Sequence, residues 1–128
     1  MHRSIIEKLE KWKKSKDRKP LIIYGARQVG KTWLMKEFGA KNYDSVAYIS
    51  FDSNNLLANI FMKDFNIQRI IRELSIAAVI QITKDTLILF DEIQECPAAL
   101  TSLKYFYENA NEYQIIAAGS LLGVMTLE

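Results

Sequence analysis

The stretch GARQVGKTW, positions 25–33, concentrates residue types that can do chemistry on an anion. Gly25, Gly30, Lys31 and Thr32 satisfy the pattern G-x-x-x-x-G-K-[ST]. The glycines let the backbone turn and approach a phosphate with no Cβ in the way. Amides from about Val29 to Trp33 then point into one concavity at a helix N-terminus, where the helix dipole favours negative charge. Lys31 adds a point charge that reaches β- and γ-phosphates, and the Thr32 hydroxyl can ligate Mg²⁺. Arg27 either meets phosphate from above or faces solvent. The candidate nucleotide-binding segment is therefore Gly25, Ala26, Arg27, Gln28, Val29, Gly30, Lys31, Thr32 and Trp33.

A second constellation follows the apolar run TLILF, where Asp91 and Glu92 stand together. In a parallel sheet ligands bind at the carboxyl ends of the strands, so the loop and the acids converge on one crevice. Asp91 suits Mg²⁺, directly or through a water. Glu92, read as the next strand residue and so pointing to another side, is left to orient or deprotonate the water that attacks a γ-phosphate. That division of labour indicates hydrolysis rather than binding alone. Ser120, after the last strand, either hydrogen-bonds the attacking water or γ-phosphate or is an ordinary Gly-Ser turn. Gln94 and Asp52 also lie near strand ends, where turn or cap roles compete with site roles. Cys96 beside Pro97 reads as a small buried filler.

The elements that must position these residues alternate. A helix is expected over Ser4 to Ser15, a buried strand at LIIYG, and a helix over Lys31 to Phe38 closed by Gly39. SVAYISF reads as a second strand, followed by a helix starting near Asn54. Ile67, Ile70, Ile71, Leu74 and Ala78 step by three and four and predict a helix from Asn66 to about Ile82. TLILF has no alternation, as expected of a strand covered on both faces. Pro97 opens a helix through Leu100, Leu103, Phe106 and Tyr107, and YQIIAAG gives a fourth strand. The class is α/β: a three-layer α/β/α arrangement around a parallel sheet with right-handed crossovers. Residues 1–19 form a basic amphipathic helix and connection, and residues 20–128 the core.

Bulk properties fit that reading. The 128 residues, 49% of them apolar, suffice for one folded domain. No apolar run approaches the roughly 20 residues that cross a bilayer, and no signal core precedes the basic start, so a cytoplasmic location is expected. One Cys and one His exclude a disulfide framework and a closed zinc site, leaving hard cations on oxygen ligands. Residues 1–20 hold eight Lys/Arg against three Asp/Glu. Such a start could meet nucleic acid or an acidic partner, although a Lys-rich helix face is more commonly solvated. Its apolar side, Ile5, Ile6, Leu9 and Trp12, is expected to pack on the domain. Trp12 and Trp33 are expected in the core or at its rim.

Taken together, GARQVGKT, LILFDEIQ and IIAAGS resemble the AAA-superfamily ATPases over about residues 18–123. The closest likeness is to a prokaryotic AAA-domain family usually followed by a C-terminal nuclease-like domain of unknown function. The resemblance implies that Gly25 to Thr32 is the Walker A loop, Asp91 the Walker B magnesium residue, Glu92 the catalytic glutamate and Ser120 a sensor-like polar residue. It also implies a sheet in which the fourth strand lies between the first and third, with the second at the edge. A fifth strand, site-completing arginines that often come from a neighbouring subunit, and further C-terminal structure belong to the same pattern and lie outside these 128 residues. The chain is thus expected to be an N-terminal piece, its final Leu-Glu a candidate cloning scar, and its uncovered sheet flank a reason for homo-oligomerisation.

The leading function is ATP binding and Mg²⁺-dependent hydrolysis that drives a conformational change on a macromolecular client. The alternative from another class is a nucleotide-gated switch with slow or no hydrolysis. A small-molecule kinase fits less well, because the glutamate directly after the magnesium aspartate is unusual there. A GTPase would carry N-K-x-D, which is absent from the sequence.

Overall fold

The computed structural model describes residues 2–25, 31–52 and 55–120. In chain order the elements are α1 (His2–Lys14), β1 (Leu21–Gly25), α2 (Lys31–Asn42), β2 (Ser45–Ser50), α3 (Asn55–Met62), α4 (Ile67–Ala78), β3 (Thr86–Asp91), a 3-10 turn (Ile93–Glu95), α5 (Pro97–Asn109) and β4 (Gln114–Ser120). The four strands form one parallel sheet in the order β1-β4-β3-β2. The expected α/β class, the position of β4 between β1 and β3, and β2 at an edge are all present.

Two apolar clusters sit on opposite faces of this sheet. Alternation along β3 divides them: Ile88 and Phe90 join the larger cluster beneath α3, α4 and α5, whereas Leu87 and Leu89 join Leu9 of α1 and Met35 and Phe38 of α2. Every residue of β3 is buried, which explains why its sequence is apolar without a break. Phe51, Phe61 and Phe90 meet edge-on or tilted at ring centroid separations of 5.6–5.7 Å and fill the larger cluster. Leu9 is buried, and Ile6 and Trp12 pack against the same cluster, so the N-terminal helix does lie on the domain, whereas Ile5 is 43% exposed and does not join them. The Trp12 indole N–H donates to the Lys19 carbonyl at 2.6 Å and pins the connection to β1. Trp33 is 59% exposed and packs against neither cluster, contrary to its expected place in the core or at its rim.

Two helix boundaries differ from the sequence expectation. Gly39 does not close α2, which continues to Asn42. A Cβ on Gly39 would lie 2.6 Å from Val46 Cγ2 and 3.0 Å from Leu87 Cδ2, so this glycine permits close approach of α2 to β2 and β3. The fourth helix stops at Ala78 rather than near Ile82, because Val79 takes the left-handed conformation at φ 59°. Its N–H and that of Ile80 fold back onto the Ile76 and Ser75 carbonyls. Ile82 is still buried, as a core contact from the following loop.

Candidate functional site

The carboxyl ends of the strands carry the candidate residues. Gly25 ends β1 and pairs in register with Ser120 at the end of β4, while Asp91 ends β3 opposite Ser50 of β2. Period-two alternation puts Asp91 on the same sheet face as Leu87 and Leu89, the face that α2 covers. The second residue of α2 is Thr32, and its hydroxyl donates to Asp91 Oδ2 at 2.7 Å. The start of the helix after the glycine loop and the end of the third strand therefore meet. Ala26, Arg27, Gln28, Val29 and Gly30 lie outside the described residues, as do the side chains of Lys31 and Ser120.

Asp91 is only 4% exposed, and a buried carboxylate demands hydrogen-bond partners. Among the described residues it has three donors. Besides Thr32, the Tyr48 hydroxyl donates to the same Oδ2 at 2.6 Å, and the Glu92 amide donates to Oδ1 at 2.9 Å. The Asp91 carbonyl accepts from the Phe51 amide at 3.0 Å, which ties the exit of β2 to the same point. Burial, then the hydrogen bond to Asp91 and its negative charge, push the Tyr48 phenol up to about 12, so at neutral pH it remains a donor. The Lys36 ammonium sits 3.9 Å from the Tyr48 ring centroid.

Glu92 is not a strand residue. Its backbone is left-handed, φ 54° and ψ 47°, and it caps the 3-10 turn Ile93–Glu95. The separation of Glu92 from Asp91 thus comes from this backbone reversal and not from strand alternation. A non-glycine residue held there costs on the order of 1–2 kcal/mol, a strain that clusters at functional sites. Gln94 Nε2 donates to Glu92 Oε1 at 2.7 Å, giving Gln94 a direct link to the acidic pair. Asp52 is exposed, and its amide donates to Ser50 Oγ at 3.3 Å, a turn arrangement. Cys96 is buried, and burial pushes its thiol up, as befits a filler and not a nucleophile.

Tyr48 was not singled out by its sequence pattern. Its signal exists only in combination: the strand order puts β2 beside β3, the register sets Tyr48 opposite Leu89, and Asp91 is then its diagonal neighbour on the same face.

The donor set fits a hard divalent cation. Thr32 Oγ1 and the Asp91 carboxylate are both oxygen ligands, they lie within hydrogen-bond distance of each other, and their neighbours fix the carboxylate. A parallel sheet of this order, with a G-x-x-x-x-G-K-T segment between its first strand and the next helix, defines the class of P-loop nucleotide-binding proteins. Within that class the chain belongs to the family described as AAA domain, whose family model matches residues 17–128. Its fold and family are those of a nucleotide-binding domain of ATPase type. No curated protein matches the chain. Among solved structures it is similar to that of C. elegans PCH-2, with 16% identity and a TM-score of 0.48 over 99% of this chain. This chain spans 35% of that one. Among the described residues no helix is long and apolar enough to cross a membrane.

Proposed function

We propose that the protein binds ATP and hydrolyses it in a Mg²⁺-dependent reaction coupled to conformational change on a macromolecular partner. The observation that supports this reading is the 2.7 Å contact between Thr32 Oγ1 and Asp91 Oδ2, which joins the phosphate-loop helix to the acidic strand end. In this proposal Gly25 to Trp33 wraps the phosphates, Lys31 neutralises β- and γ-oxygens, and Thr32 and Asp91 hold Mg²⁺. Bound there, Mg²⁺ supplies charge neutralisation on the phosphate oxygens. Glu92 orients and deprotonates the attacking water, and Ser120 hydrogen-bonds that water or the γ-phosphate. Residues 20–128 are the catalytic core, residues 1–19 its accessory helix, and the protein is a cytoplasmic homo-oligomer whose neighbouring copy contributes the completing arginines.

One observation favours a second reading, a nucleotide-gated switch with slow turnover. The Gln94 amide occupies Glu92 Oε1 at 2.7 Å, and an oxygen engaged by an amide is less available to accept from an attacking water. Single-turnover phosphate release with wild type, Glu92→Gln and Lys31→Ala separates the two. Hydrolysis predicts that Glu92→Gln binds ATP without turning it over and that Lys31→Ala loses most binding. Equal rates for wild type and Glu92→Gln refute the catalytic assignment, and tight binding with negligible wild-type turnover selects the switch.

A further inference from the structure

We propose that Tyr48 is the positioning residue of the cation site: its hydroxyl holds Asp91 in the rotamer from which Asp91 and Thr32 together engage a divalent cation. The inference rests on the proposed function and adds a residue from a third element to it.

Three donors from three elements fix the carboxylate: Thr32 from α2, Tyr48 from β2, and the Glu92 amide from the turn after β3. Two of them share Oδ2. When the Thr32 hydroxyl serves a cation, Tyr48 is, among the described residues, the side chain that still anchors that oxygen. Tyr48 is itself well placed for this duty. Its ring packs against the cluster containing Met35, Leu87 and Leu89, and the Lys36 ammonium covers it at 3.9 Å. A phenol has few rotors, so its hydroxyl is delivered at 2.6 Å with little entropy left to lose. Groups that orient a metal ligand from behind in this way are commonly worth about 10- to 100-fold in metal affinity or activity.

Tyr48→Phe removes the hydroxyl and keeps the ring, its packing and the lysine above it. The measurement is binding of a fluorescent ATP analogue, titrated with Mg²⁺ and repeated in EDTA, with turnover measured across the same Mg²⁺ range. Tyr48→Phe is expected to raise the Mg²⁺ concentration for half-maximal effect about tenfold, to leave nucleotide affinity in EDTA unchanged, and to recover turnover at saturating Mg²⁺. A shift below about twofold, or an equal loss of affinity in EDTA, overturns the proposal. If the wild type binds no nucleotide at any Mg²⁺ concentration, the proposed function falls, and the rise in urea midpoint that Mg²⁺ alone gives wild type and Tyr48→Phe decides this inference. A Mg²⁺ requirement about tenfold higher in Tyr48→Phe supports the positioning role, and an equal requirement, or no rise in wild type, overturns it.

Discussion

Replacing Gly39 by alanine tests how α2 is seated on the sheet and, through that seating, the candidate site. Thr32, Met35 and Gly39 recur at three and four residues, so they share the face of α2 that meets β3. An alanine Cβ at position 39 would stand 2.6 Å from Val46 Cγ2 and 3.0 Å from Leu87 Cδ2. The first distance is about 1 Å inside ordinary carbon–carbon contact. Val46 is β-branched and stiff at χ1, and Leu87 is fully buried, so neither can swing aside cheaply. Alanine gains about 1 kcal/mol over glycine in a helix interior. Overpacking costs about 1–3 kcal/mol, so the net is a destabilisation of about 1 kcal/mol. Urea unfolding should show that loss. Combining Gly39→Ala with Val46→Ala, which opens the space, should recover about 1 kcal/mol relative to additivity. Lifting α2 by several tenths of an ångström also lengthens the 2.7 Å Thr32–Asp91 contact, so Gly39→Ala should need more Mg²⁺ for half-maximal nucleotide binding. Stabilisation of Gly39→Ala by about 1 kcal/mol, the result for an exposed helical glycine, would refute the close approach.

Two further substitutions probe the frame around the site. Val79 is β-branched, 85% exposed and left-handed at φ 59°, so Val79→Gly should raise stability by about 1 kcal/mol, read as a higher urea midpoint with unchanged slope. Arg69 joins the end of α3 to α4: Nη1 meets Glu73 at 2.7 Å, Nη2 meets Asp64 at 3.0 Å, and Nη2 donates to the Ile60 carbonyl at 2.8 Å. Arg69→Ala should cost about 1–2 kcal/mol, chiefly from carbonyls left without a donor, because exposed ion pairs are screened. Hydrogen bonds hold both carboxyls below their ordinary range, Asp64 through the Asn66 amide and then Arg69, Glu73 through Arg69. Depressed folded values mean that this stabilisation is complete above about pH 5 and fades as pH falls through them. Urea midpoints from neutral pH to about pH 3 should therefore drop less in Arg69→Ala than in wild type.

The strand before the glycine segment, the helix after it, and the buried strand TLILF were legible in the sequence because each is a local pattern with a local cause. Phosphate cradling needs glycines next to a lysine, and a strand covered on both faces needs an unbroken apolar run. The strand order followed from resemblance and is the order observed. Local signals misled where a residue's meaning depends on a neighbour distant in sequence. A glycine near a helix end looks the same whether it caps the helix or admits a β-strand, and only Val46 and Leu87 show that Gly39 does the second. The apolar spacing runs on to Ile82, yet the backbone reversal at Val79 ends the helix at Ala78, four residues short of it, and Ile82 reaches the core from a loop.

The amino-acid sequence by itself determined the chemistry on offer at this site: which side chains can bear a proton, a charge or a cation. The tertiary structure decided their aim. Tyr48 and Asp91 are 43 residues apart in the chain and 2.6 Å apart in the fold, and Glu92 turns through a left-handed backbone that no strand pattern announces. The physical reason is that a buried carboxylate must be satisfied by whatever the packing brings to it, and parallel strand register, not sequence proximity, sets what arrives.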